Sequence, residues 1–131
     1  MRNKVIAVDL DDTLCTRPKG LEHLGKVKYT HCVPIQPMID LVNKLYEEGN
    51  TIHIYTARGM HQFGGDVEIV YDNLYMDTIV QLKNWKVRYH KLVMGKMPYD
   101  LLIDDKCCRP KEILDNKDFG EFYGKISNES V

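Results

Sequence analysis

Four short apolar runs punctuate this chain, and each breaks off at charged or hydroxyl residues. Val5-Ile6-Ala7-Val8 stops at Asp9-Leu10-Asp11-Asp12-Thr13, and Thr51-Ile52-His53-Ile54-Tyr55 stops at Thr56-Ala57-Arg58. The stretch from Tyr89 to Met94 stops at Gly95-Lys96, and Leu101-Leu102-Ile103 stops at Asp104-Asp105-Lys106. Runs this short, rich in β-branched residues, read as buried strands. Between them the spacing turns helical. Pro37 near a first helical position, then Met38, Leu41, Val42 and Leu45, with Gly49 as terminator, predict an amphipathic helix. Gly64-Gly65-Asp66 marks a hinge and N-cap, after which Val67, Val70, Tyr71, Leu74, Thr78, Leu82 and Trp85 share one face of a long helix. Pro110 opens a last short helix through Leu114. Residues 15–33, with Pro18, Gly20 and Gly25 and no sustained period, read as a loop or small flap overlooking the first acids. The polar end, 125–131, is expected to fray.

Strands alternating with helices predict right-handed crossovers and an α/β fold, a Rossmann-like parallel sheet flanked by helices, in one domain spanning 1–131. In such a sheet the strand ends share one edge, where ligands bind. Asp9, Asp11, Thr56, Lys96, Asp104 and Asp105 then converge, although they are scattered through the sequence.

Charge narrows the partners. Lys plus Arg number 18 against 19 Asp plus Glu, a formal net charge of -1, so neither bulk nucleic-acid binding nor attachment to an anionic membrane is expected. Met1-Arg2-Asn3-Lys4 leads into too few apolar residues for a signal peptide or a membrane span, which predicts a cytoplasmic protein. Cys15, Cys32, Cys107 and Cys108 lack paired metal-ligand spacing and read as reduced thiols.

The acids carry the candidate chemistry. Two carboxylates about 4 Å apart repel by roughly 4 kcal/mol at an effective dielectric near 20, so the cluster needs a proton, a cation or a basic neighbour. A divalent metal is the simplest partner. A carboxylate is a competent nucleophile toward phosphorus, and a second one beside it can protonate the leaving group and activate water. Asp9 as nucleophile and Asp11 as acid/base fit these roles. The Thr56 hydroxyl would donate to a phosphoryl oxygen and Lys96 would supply fixed positive charge. Mg²⁺, which prefers oxygen ligands, would be held by Asp9, a backbone carbonyl at Asp11, and Asp104, with Asp105 binding directly or through water. Arg58 reads equally as a ligand for substrate anion or as the partner of a surface acid. His23, His31 and His61 read as ordinary loop residues at the site edge, and His53 as packing.

These residues, in this order, resemble the haloacid dehalogenase-like phosphatase superfamily. Asp9-Leu10-Asp11-Asp12-Thr13 is similar to its first motif, Thr56 to the second, Lys96 to the third and Leu102-Ile103-Asp104-Asp105 to the fourth. The resemblance spans about residues 3 to 114 and implies a Rossmann-like sheet, Mg²⁺ dependence and phosphate-ester hydrolysis. A narrower resemblance, to small capless capsule-biosynthesis phosphatases, is carried by Tyr55-Thr56-Ala57-Arg58, the long helix after Gly65, Leu92-Val93-Met94-Gly95-Lys96, and Ile103-Asp104-Asp105 followed by Arg109-Pro110. It implies that Thr56, Ala57, Arg58 and Lys96 bind substrate. Asp12 stands where many superfamily members carry glycine.

The expected activity is a Mg²⁺-dependent phosphomonoesterase acting through an aspartyl phosphate on a small metabolite, such as a sugar phosphate or related capsule precursor. A nucleotide or polynucleotide phosphatase is the alternative. A receiver-like phosphoacceptor domain fits less well, because its acceptor Asp would sit at a middle strand and its Lys last. With so short a flap, a homo-oligomer is expected to shield the site.

Overall fold

The computed structural model describes residues 2–115; the expected fraying of 125–131 lies outside the described residues. Strand β1 spans Val5–Val8, β2 Thr51–Thr56 and β3 Lys91–Met94. Helix α1 spans Gln36–Glu47, α2 Val67–Asn84 and α3 Pro110–Asp115, while a 3-10 helix occupies Glu22–His31. The three strands form one parallel sheet in the order β1-β2-β3, with Val5 opposite Thr51 and His53 opposite Lys91. Each pair is joined by a helix, as parallel pairing requires. The result is a small α/β fold with helices flanking the sheet, consistent with a Rossmann-like core.

The core lies around β2, where Ile52, Ile54 and Thr56 are all buried. Helix α1 contributes Met38, Ile39, Val42 and Leu45, and α2 contributes Val70, Leu74, Thr78 and Leu82. Two of these helix boundaries have plain local causes. Pro37 stands in the first turn of α1, where its missing N–H leaves no bond unmade. The Asp66 side chain accepts from the Ile69 N–H at 3.2 Å and caps α2. Gly95, at φ 88°, lets the turn after β3 run close under α2, since a Cβ there would lie 2.8 Å from Val67 Cγ1.

Three expectations need correction. The strand expected from Tyr89 begins at Lys91, because His90 is occupied at the ladder's margin: its N–H donates to the Ile52 carbonyl at 2.8 Å, and its Nδ1 accepts from the Ile52 N–H at 3.0 Å. Val67, placed on the buried face of the long helix, is exposed at the first turn of α2, while Val70 and Leu74 face the core. The largest departure is at Leu101-Leu102-Ile103, which forms no strand; Ile103 is 89% exposed. An apolar triplet signals a need for cover without naming a partner, and here a groove of about 940 Å³ separates it from the free edge of β1. Consequently β1 is itself less buried than its apolar run predicts, and Val5 is 70% exposed.

Candidate active site

The chain beyond β1 folds into a tight turn around a single carbonyl. Leu10 O accepts from the N–H groups of Thr13, Leu14 and Cys15 at 3.1, 2.8 and 3.3 Å, and Asp12 adopts the left-handed conformation at φ 66°. Asp12 stabilises this strained position with its own side chain, which accepts from the Arg17 N–H at 3.0 Å. The turn buries Leu10, Leu14 and Cys15 completely and sends Asp9 and Asp11 in different directions.

Asp9 stays at the mouth of the sheet edge. Its Oδ1 accepts from the Leu10 N–H at 2.8 Å and lies 3.8 Å from Lys96 Nζ. Burial pushes its carboxyl above the usual range, and the Lys96 charge only partly offsets this. Lys96 is positioned by its N–H, which donates to the Thr56 carbonyl at 3.1 Å, and its ammonium sits between the Tyr55 and Tyr99 rings at 5.6 and 5.2 Å. Thr56 is buried, and its Oγ1 accepts from the Arg58 N–H at 3.0 Å, leaving the hydroxyl hydrogen to be directed elsewhere.

Asp11 turns inward to Arg58. Nε reaches Oδ2 at 3.0 Å and Nη2 reaches Oδ1 at 2.7 Å, a bidentate pair in which both residues are buried. The remaining donors are also used: Nη1 meets Gln81 Oε1 at 2.8 Å and Thr78 Oγ1 at 3.4 Å. The Tyr29 ring covers the guanidinium at 4.5 Å, and the Tyr29 hydroxyl accepts from the Gly59 N–H at 3.0 Å. Burial alone would lower the Arg58 pKa, but the Asp11 hydrogen bonds and charge prevail and raise it. Burial likewise raises the Tyr29 phenol. The acid that Arg58 pairs with is thus not a surface one but the buried Asp11 at the site itself, and Arg58 also borders the cavity described below.

Asp11, Cys15 and Cys32 hold their donor atoms within 4.8 Å of one another, the one such set of three among the described residues. Arg58 Nη2 stands against all three, at 2.7 Å from Asp11 Oδ1, 3.8 Å from Cys15 Sγ and 3.7 Å from Cys32 Sγ. A guanidinium thus fills the place a cation would take. Two thiols also suit a softer metal than Mg²⁺.

Asp9, Asp11, Thr56, Ala57, Arg58 and Lys96 border one cavity of about 420 Å³, whose far wall includes Arg17, Lys28, Tyr29 and His61. Asp104 lies instead on the 940 Å³ groove, which Asp9 and Lys96 also border. Asp104 is exposed, and the Lys106 N–H, donating to its Oδ1 at 2.9 Å, holds its carboxyl below the usual range. The fit to Mg²⁺ is therefore partial: Asp9 and Asp104 offer hard oxygen donors along one groove, while Asp11, its side chain committed to Arg58, has only its backbone carbonyl to offer and Asp105 borders neither cavity.

Sequence reasoning missed the residues that hold Arg58 in place, namely Tyr29, Thr78, Gln81 and Cys32. Thr78 and Gln81 lie on the same helix, three residues apart, so a polar pair on the inward side of α2 was the available signal. No pattern marks Tyr29 or Cys32.

No family model matches the chain, and no curated protein does. Among solved structures, the crystal structure of an MCSG target from Vibrio cholerae is similar at 25% identity, with a TM-score of 0.77 over 94% of this chain and 98% of that one. A chain in the structure of the Pnkp1/Rnl/Hen1 complex is 18% identical, with a TM-score of 0.52 over 92% of this chain and 37% of that one. The latter likeness is one of fold. Among the described residues, no helix is long and apolar enough to cross a membrane.

Proposed function

We propose that the protein is a phosphomonoesterase of the haloacid dehalogenase-like type, with Asp9 as nucleophile. The observation that carries this reading is that Asp9, Thr56 and Lys96, from three separate strand ends, border one cavity, with Lys96 Nζ 3.8 Å from the Asp9 carboxylate. An Asp9 oxygen forms a bond to phosphorus while the ester P–O bond breaks, giving an aspartyl phosphate and an alcohol. Lys96 balances charge on the phosphoryl oxygens, and the Thr56 hydroxyl, whose lone pair already serves the Arg58 N–H, directs its hydrogen to one of them. Asp11 is assigned proton transfer to the leaving oxygen and from the attacking water, so it must first leave its bidentate Arg58 pair and take up a proton from solvent, which the leaving oxygen receives and the attacking water restores. Mg²⁺ would be held by Asp9 and Asp104, and when bound it supplies neutralisation of phosphoryl charge.

The reading favours a small substrate, because the cavity of about 420 Å³ suits a single phosphorylated metabolite such as a sugar phosphate. A capsule precursor and a second copy of the chain shielding the open side are the extensions of this proposal. A phosphate-release screen with Mg²⁺ across phosphosugars, phosphorylated polyols and nucleotides tests it. Release from at least one class is expected. Preference for nucleotides would move the assignment to the alternative substrate class, and no release from any class would remove the enzyme.

A further inference from the structure

Cys15 and Cys32 are both buried, yet the proposed chemistry uses neither. They flank the 16–31 segment, which supplies Arg17, Pro18, Glu22, Lys28 and Tyr29 to the cavity wall. The backbone already brings the two ends of that segment together. Cys15 bridges Pro34 in antiparallel fashion, the Thr16 N–H donates to the Val33 carbonyl at 2.8 Å, and the Ile35 N–H donates to the Leu14 carbonyl at 2.8 Å. The two sulfurs lie within 4.8 Å of each other. Both also touch the catalytic-site ion pair. Cys15 Sγ and Cys32 Sγ donate to Asp11 Oδ1 at 3.4 and 3.7 Å, and both accept from Arg58 Nη2.

We propose that Cys15 and Cys32 are an oxidisable pair whose disulfide switches the site by disturbing the Asp11–Arg58 contact. Its regulatory part rests on the reading of the site as a phosphatase; the disulfide itself does not. A metal is the competing use of this cluster, and it is disfavoured by the guanidinium already lodged among the three donors. With a hydroperoxide as oxidant, Cys32, the sulfur-bearing residue with residual exposure at 7%, attacks the peroxide oxygen. The O–O bond breaks and a sulfenic acid forms. Cys15 sulfur then attacks the Cys32 sulfur, the S–O bond breaks and water leaves with the thiol proton. Overall, two thiols and one hydrogen peroxide give one disulfide and two waters. The sulfurs must close to about 2 Å for the bond to form. The disulfide carries no S–H, so Asp11 Oδ1 loses two donors, and the base of the 16–31 wall becomes covalently fixed.

The test uses the full chain with Cys107→Ser and Cys108→Ser, which removes the two exposed thiols. The folded protein is treated with hydrogen peroxide, remaining thiols are alkylated, and peptides are mapped by mass spectrometry. A Cys15–Cys32 linked peptide that dithiothreitol separates is the expected result. Two alkylatable thiols after treatment, or Cys32 sulfinic acid without linkage, would overturn the pair. In parallel, hydrolysis of an aryl phosphate should fall about tenfold or more on oxidation and return on reduction. A linked protein with unchanged turnover would overturn the switch. If neither form hydrolyses any phosphate ester, the phosphatase reading fails while the peptide map still decides the disulfide.

Discussion

Asp11 and Asp104 are the same side chain at the ends of two apolar runs, and the fold treats them in opposite ways. Asp11 follows a strand that is hydrogen-bonded to β2, and its carboxylate is buried in a bidentate pair with Arg58. Asp104 follows Leu101-Leu102-Ile103, a triplet with no strand pairing, and its carboxylate is exposed. The difference is one of support. Around Asp11, the turn on Leu10 O, the Tyr29 ring and the α2 side chains Thr78 and Gln81 satisfy each donor and acceptor. Such a site is rigid because any single loss leaves a buried polar group unpaired. Around Asp104, the hydrogen bonds among the described residues are local, from the Lys106 N–H to its side chain and from Cys107 Sγ to its carbonyl. Among the described residues, one side of the candidate active site is thus tied into the core, and the other is held by local contacts.

Removing Arg58 should show the contrast at its largest. Arg58→Ala leaves a buried, uncompensated carboxylate and should cost about 3–5 kcal/mol in urea unfolding. Asp104→Asn should lower the unfolding midpoint only slightly, through the lost Lys106 hydrogen bond, and a loss comparable to that of Arg58→Ala would erase the distinction. The apolar neighbours should follow the same division. Ile54→Ala, in the buried middle of β2, should cost about 2–5 kcal/mol, while Leu102→Ala, 45% exposed, should stay within about 0.5 kcal/mol of the parent.

A smaller effect sharpens the account of the cavity wall. Tyr29→Phe keeps the ring over Arg58 but removes the acceptor for the Gly59 N–H, and should cost about 1–3 kcal/mol by the same unfolding measurement. An unchanged midpoint would mean that water replaces the hydroxyl without loss.

Acidity gives the finest distinction. Asp9 has a raised pKa in the fold, so the folded chain binds its proton more tightly than the unfolded chain does. Ionised Asp9 therefore weakens the fold at neutral pH. That handicap fades as pH falls through the raised folded value toward the ordinary carboxylate range. Asp9→Asn should raise stability at neutral pH and flatten this part of the pH profile, as measured by unfolding midpoints across the acid range. A variant less stable than the parent at neutral pH would contradict the raised pKa. If Asp9 is the nucleophile, as proposed, turnover should move the other way, rising with pH as its carboxyl ionises.

The parts of the molecule with a strong period were legible before any coordinates. Pro37 and Asp66 marked helix starts, and the short β-branched run from Thr51 to Tyr55 marked the central strand, because local geometry and burial agree there. Leu101-Leu102-Ile103 was misread because apolar character expresses a demand for cover, whereas a strand also needs a partner ladder, which only tertiary structure supplies. Within the candidate site, Asp9, Thr56 and Lys96 border one cavity, as the sequence led one to expect, because a parallel sheet brings its strand ends to one edge. Arg58 was recognised as an anion ligand, but its anion was not. The pairing spans 47 residues, and no local pattern encodes a contact made through a turn at Asp12 and a buried side chain.

The proposed chemistry depends above all on Asp9 attacking phosphorus. Phosphate release from an aryl phosphate with Mg²⁺ should be measured for the parent chain and Asp9→Asn, with circular dichroism confirming that both are folded. The parent should turn over and Asp9→Asn should lose hydrolysis altogether; equal activity in the two would contradict the assignment.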